Sequence, residues 1–235
     1  MTFTSAQAYL LGLINEYVSR RSPNRLDRIR AFVHELGDPH LRYPTIHVAG
    51  TSGKGSTATM LAAALQASGK RVGLHTKPHL VSVTERIRLD GVPIAADAFA
   101  DVLDEMMPAI DRVGAEHGRP TYYETLLALA FVAFARERVD AAVIEAGIGG
   151  RLDGTNVLNP EVAIITNVSL DHMDVLGDTR EAIAAEKLAV VKPGTTVVLG
   201  DDQWRELGDC LGQGHSEQLQ CIGKQRDFVE LQGHR

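Results

Sequence analysis

The sequence predicts an α/β protein: a mostly parallel sheet with helices on both faces, carrying a loop built to hold phosphate groups. Two observations predict it. Short apolar runs at 45–49, 71–75, 141–145, 162–167 and 196–199 alternate with segments of helical composition. Strands that read as near-continuous apolar runs belong to a sheet covered on both sides. The first run is followed at once by Gly50-Thr51-Ser52-Gly53-Lys54-Gly55-Ser56-Thr57, so strand, glycine-rich turn and helix succeed one another without a spacer.

Taken in order, the first 43 residues read as two helices packed on the core. Leu10, Leu11, Leu13, Ile14 and Val18 share one face, and Leu26, Ile29, Phe32, Val33 and Leu36 repeat the pattern over 24–36. Pro23 suits the first turn of the second helix. Residues 44–235 then form the phosphate-binding domain, with helices expected at 57–67, 96–117, 122–138 and 180–191. Beyond 201 the pattern thins to a short helix at 204–211, a polar loop at 215–220 and the start of a strand at 228–231. This predicts a domain incomplete at its C-terminal end.

Composition narrows the function classes. A chain of 235 residues with 44% apolar content supports one substantial core. The 24 basic and 30 acidic residues give a net charge of -6 without long runs of either sign, which offers no broad positive surface to a nucleic acid. No apolar run approaches the length of a membrane span, and Glu16, Arg20 and Arg21 interrupt the N-terminal apolar stretch early, so it reads as an amphipathic helix rather than a leader. Cys210 and Cys221 have neither zinc nor disulfide-framework spacing, which fits a reducing, cytoplasmic compartment.

The 50–57 loop carries the sharpest chemical signal. Its glycines allow a tight turn whose amides point inward, and the helix that follows presents unpaired N–H groups and the positive end of its dipole. Lys54 adds a cation able to reach β and γ phosphates, and Ser56 or Thr57 offers a hydroxyl near a metal. Gly55 stands where the common phosphate-loop pattern has its hydroxyl. Further along, Glu145 ends an apolar strand just before Gly147, Gly149 and Gly150, and His172 lies in the turn after another strand. The carboxyl ends of neighbouring parallel strands converge on one crevice, so the two can meet there.

Five segments together carry a family resemblance: the GTSGKGS loop, PHLVSVTERI at 78–87, EAGIGGRLDGTN at 145–156, TNVSLDHMDVLG at 166–177 and AAEKLAVVKPG at 184–194. In this order they resemble folylpolyglutamate synthase and dihydrofolate synthase, of the Mur ligase superfamily, over residues 10–200. The resemblance implies a Mur ligase central-domain fold for 44–235, with ATP bound by Gly50, Thr51, Ser52, Gly53, Lys54, Gly55, Ser56 and Thr57. It also implies catalytic roles for Lys54, Glu145, His172 and Lys187, and a magnesium site formed by Ser56, Glu145, His172 and Lys187, the lysine acting as ligand once carbamylated.

Substrate contacts are expected at Lys77, His79, Arg86, Arg151 and Asp153, although Arg151 and Asp153 could instead staple their loop to one another. Asp171 is a better candidate than Asp174 for supporting His172. One departure is plain: Lys77 precedes Pro78-His79-Leu80 where the family has a serine that ligates magnesium, and an ammonium has no lone pair to offer.

The implied reaction is ATP-dependent addition of L-glutamate to a folate or dihydropteroate carboxylate through an acyl phosphate. A C-terminal domain supplied separately is the implied macromolecular partner. Two other readings stay open: an ATP-binding or regulatory protein of this fold without ligase activity, and another Mur-type amide ligase.

Overall fold

The computed structural model describes residues 1–14, 25–200 and the two-residue strand at 221–222. Val18, Pro23, the helix expected at 204–211 and the strand expected at 228–231 lie outside the described residues. Eight strands are described: β1 (Thr45–Ala49), β2 (Val72–His75), β3 (Ile87–Leu89), β4 (Val92–Pro93), β5 (Ala141–Glu145), β6 (Val162–Ile165), β7 (Thr196–Leu199) and β8 (Cys221–Ile222). The helices are α1 (Phe3–Gly12), α2 (Arg25–Glu35), α3 (Lys54–Ala67), α4 (Ala96–His117), α5 (Tyr122–Arg136), α6 (Met173–Leu176) and α7 (Arg180–Leu188).

The strands form one sheet in the order β4-β3-β2-β5-β1-β6-β7-β8. Every pairing from β2 to β8 is parallel. Among the described strands the β2–β3 and β3–β4 pairings are antiparallel, closing one edge. This is the mixed α/β fold that the alternation of apolar runs predicts. No helix among the described residues is long and apolar enough to cross a membrane.

Alternation along β1 decides what packs on which face. Ile46 and Val48 join Ala58, Ala62 and Val143 beneath α3, while Ala49 faces the other way with Ile183, Ala184 and Leu188 of α7. On that second face a larger core, with Phe99, Leu103, Met106, Phe131 and Phe134 fully buried, unites α4 and α5 with Ala6 and Leu10 of α1 and Ile29 and Phe32 of α2. The approach of α5 to the sheet is close, since a side chain at Gly73 would overlap the Phe134 ring at 2.6 Å. A capping box formed by Thr121 and Glu124 starts α5. Glu124 also accepts two hydrogen bonds from Arg28, at 2.8 and 3.0 Å, which ties α2 to α5 through a buried ion pair.

Candidate functional site

The carboxyl ends of β1, β5, β6 and β2 bring four segments together. Between β1 and β6 the chain departs in opposite directions, toward β2 on one side and β7 on the other, which is where open α/β sheets form their ligand crevice. The 50–57 loop spans this point. Gly53 adopts φ 77° and caps α3, and Gly50 adopts φ 143°, both conformations that side chains disfavour. A Cβ at Gly50 would also collide with Thr166.

The loop is held from the β6 side by residues that the sequence reading did not single out. Asn167 accepts from the Ser52 amide at 3.0 Å through Oδ1 and donates back to the Ser52 carbonyl through Nδ2 at 3.2 Å. The Thr166 hydroxyl donates to the same carbonyl at 2.7 Å, and the Ser169 amide donates to Thr51 Oγ1 at 3.0 Å. Their signal was in plain sight in the TNVS segment, but nothing in spacing alone says that these side chains serve another loop.

Three lysines gather here against few carboxylates. Lys54 Nζ donates to the carbonyls of Gly50 and Thr51, both at 2.9 Å, and Lys187 Nζ donates to the Gly50 carbonyl at 3.1 Å from a buried position on α7. Glu145 lies across the loop: its Oε2 is 3.4 Å from where a Gly55 Cβ would stand, van der Waals contact for a methyl group there. That same oxygen accepts from the Lys77 amide at 2.9 Å.

Burial pushes the Glu145 carboxyl up, against the pull of the Lys77 amide and of the Lys77, Lys54 and Arg86 charges. Burial and the neighbouring Lys77 charge lower Lys54, with Glu145 and Asp171 opposing. Lys187 is lowered to about 8 by burial and by repulsion from Lys54, with Asp171 opposing. An excess of confined ammonium groups beside the N-terminus of α3 suits a polyanion.

A model of the Mur ligase middle domain matches residues 48–218, from inside β1 to beyond β7. The chain belongs to the Mur ligase middle-domain family. It is homologous to dihydrofolate and folylpolyglutamate synthases. Identity is 42% over 189 residues with the dihydrofolate synthase/folylpolyglutamate synthase of Mycobacterium tuberculosis, covering 74% of this chain and 39% of that one. With the Bacillus subtilis protein of the same name it is 39% over 175 residues, covering 74% and 41%.

Among solved structures, the folylpolyglutamate synthase of Thermotoga maritima superposes with a TM-score of 0.81 at 34% identity, over 94% of this chain and 50% of that one. The E. coli protein FolC, in complex with DHPP and ADP, gives 0.83 at 31%, over 95% and 52%. The chain therefore spans about two fifths of the length of the curated relatives and half that of the solved structures it matches.

In this Mur ligase domain the remaining predicted residues divide between the crevice and its supports. Arg86 donates through Nε to His79 Nδ1 at 2.9 Å and lies 5.7 Å from the centre of the Tyr122 ring. Burial and the Arg86 charge hold His79 below its ordinary value, consistent with a neutral imidazole accepting that bond. The loop carrying both is folded over Glu85, which accepts from the amides of Leu80, Val81 and Ser82 at 3.0, 2.9 and 2.7 Å.

Arg151 and Asp153 do not pair with each other. Arg151 is exposed and donates to Glu186 Oε1 at 2.9 Å, whereas Asp153 is buried and accepts from Tyr123 Oη at 3.1 Å and from the amides of Ile148 and Thr155 at 3.2 and 3.0 Å. The loop had donors closer to the buried carboxylate than a guanidinium that is better solvated outside. Asp153 thus pins the loop from within and Arg151 clips it to α7.

For magnesium the donor set fits in one way. Among the described residues no three His, Cys, Asp or Glu side chains cluster as a metal cage, and His172, in a left-handed conformation ahead of α6, lies 3.7 Å from Asp171 on an open turn. Magnesium needs no such cage where it shares one or two carboxylates with substrate phosphates and water. Glu145, a buried carboxylate beside the phosphate loop, meets that requirement, and Asp171 bears electrostatically on both Lys54 and Lys187.

Proposed function

We propose that this chain forms the ATP-handling part of a ligase that joins the amine of L-glutamate to a carboxylate of folate or dihydropteroate. The observation that carries the reading is the phosphate loop with Lys54 and Lys187 on one side and Glu145 on the other. The homology to folate ligases selects the substrate class.

In this reading an oxygen of the substrate carboxylate attacks the γ phosphorus of ATP, the bond to the β,γ-bridging oxygen breaks, and ADP departs. The glutamate nitrogen then attacks the acyl phosphate carbonyl, loses a proton and expels phosphate. The chain's own contribution is positioning and charge. The loop amides and Lys54 hold the oxygens of the transferring group, while Thr166 and Asn167 keep the loop rigid. Arg86 and His79, on the neighbouring lip, suit an anionic substrate. Glu145, with Ser56 and His172 as further donors, would hold magnesium, whose chemistry is to neutralise charge on the phosphoryl group. The reaction draws on ATP, L-glutamate and a folate or dihydropteroate, and we place it in the cytoplasm.

Lys54→Ala is expected to weaken ATP binding about 10- to 100-fold, the worth of charge-assisted hydrogen bonds to phosphate. Calorimetry checks this, and unchanged affinity would remove the assignment of the loop. Phosphate release that depends on both a folate and glutamate tests the ligase reading itself.

Lys187 is proposed to carry a carbamate. With its value near 8, a share of the amine is neutral at physiological pH and free to attack carbon dioxide, losing a proton to leave an anionic oxygen ligand. Native mass spectrometry in bicarbonate buffer is expected to show a carbamoyl adduct that Lys187→Arg abolishes. An adduct that persists in the variant would place it elsewhere.

A further inference from the structure

The strand order sets out the crevice as a row. The phosphate loop follows β1, Glu145 ends the adjacent β5, and Lys77 follows β2 on the far side of β5. A triphosphate seated at the N-terminus of α3 and extending across Glu145 would run along this row toward Lys77. The main chain of Lys77 is fixed by the hydrogen bond that its amide N–H donates to Glu145 Oε2. Its ammonium, in contrast, has neither hydrogen-bond nor ion-pair partner among the described residues.

Unlike Lys54 and Lys187, which are tied to the Gly50 carbonyl, Lys77 is a half-buried cation whose ammonium has no hydrogen-bond or ion-pair partner among the described residues. Its charge is nonetheless felt by Lys54, by Glu145 and by His75, which places it within the field of the site. A cation in this field that no carboxylate contacts directly, Glu145 bearing on it only at longer range, has its donors free for an incoming anion.

We propose that Lys77 is a phosphate-binding residue: its ammonium pairs with the terminal phosphate of the bound nucleotide and takes over part of the charge neutralisation that a divalent ion otherwise provides. Nucleotide binding by this chain is therefore less dependent on magnesium than it is with an uncharged hydroxyl at this position, and the contact discriminates ATP from ADP. The inference rests on the phosphate-loop assignment and goes beyond it. The side chain that cannot act as a metal ligand here reduces the need for the metal.

The test is calorimetric titration of the purified chain with ATP and ADP, each in excess chelator and in saturating magnesium. It compares the parent with Lys77→Ser, Lys77→Arg and Lys54→Ala, with thermal melts to confirm folding. In chelator, Lys77→Ser is expected to lose about 10- to 50-fold in ATP affinity, the range for a charge-assisted contact, and Lys77→Arg to retain most of it. With magnesium present the Lys77→Ser deficit shrinks to a few-fold, and ADP affinity changes little in either condition.

Equal metal-free ATP affinity in the parent and Lys77→Ser, with Lys54→Ala still impaired, overturns the role of Lys77 and leaves the loop assignment intact. An equal loss for ATP and ADP overturns the terminal-phosphate placement. Absence of ATP binding by the parent in both conditions overturns the loop assignment and the role of Lys77 together.

Discussion

Lowering the pH from 7 to 5 is expected to destabilise this fold by about 4 kcal/mol, through two histidines buried in a neutral state. His47 on β1 and His75 on β2 are both fully inaccessible, and burial lowers each to about 4. The Thr155 hydroxyl donates to Asp153 and so accepts from Nε2–H of His47 at 2.8 Å, which leaves Nδ1 of His47 without a partner. Neither ring nitrogen of His75 has a well-formed hydrogen bond among the described residues, although the neighbouring Arg86 backbone partly favours its protonated form. The nearby charge of Asp153 opposes the effect of burial at both sites without cancelling it.

Between about 4 and the unfolded value of 6.5, the unfolded chain binds protons that the folded chain refuses. Stability is therefore present above 6.5 and lost as pH falls toward 4, at about 1.4 kcal/mol per pH unit for each histidine. At pH 5 this comes to about 2 kcal/mol each. Urea unfolding at the two pH values measures the loss, and His75→Leu is expected to remove half of it. An unfolding midpoint that does not move between pH 7 and 5 would mean that these rings are charged or hydrated in the folded protein.

Gly50→Ala is expected to abolish measurable nucleotide binding, at a cost of at least about 100-fold in affinity, while leaving a folded protein. The added methyl group meets two obstacles at once: a backbone at φ 143°, and the Thr166 hydroxyl that anchors the Ser52 carbonyl. Relieving the clash means moving either the loop or the Thr166 side chain, and each holds the other. Gly50→Ala combined with Thr166→Ala is expected to recover part of the affinity, since the clash with the hydroxyl goes while tight 3.1 Å contacts to the residue 166 Cβ and amide nitrogen and the backbone strain remain. Full nucleotide affinity in Gly50→Ala would show that the loop does not present its amides in the conformation described.

Much of the fold was legible before any coordinates. The helix expected at 96–117 and the strands at 141–145 and 196–199 have those bounds in the structure, because length, periodicity and flanking glycine or proline all agree there. The strand expected at 162–167 stops at Ile165, because Thr166 and Asn167 turn aside to hold the phosphate loop. The 3- and 2-residue strands β3 and β4 went unread, being too short to show a period.

Local chemistry by itself determined the phosphate loop, the lysine within it and the alternation of strand and helix. These depend on residue types in a contiguous stretch, where backbone freedom and amphipathic period are written directly. Only the tertiary structure decided the partners. It set Glu145 against Gly55, sent Arg151 to Glu186 instead of Asp153, buried Asp153 and the two histidines, and left the Lys77 ammonium without a hydrogen-bond or ion-pair partner among the described residues. The reason is physical: an ion pair or a buried imidazole is fixed by which strands become neighbours, and in a parallel sheet those neighbours lie many residues apart in the chain.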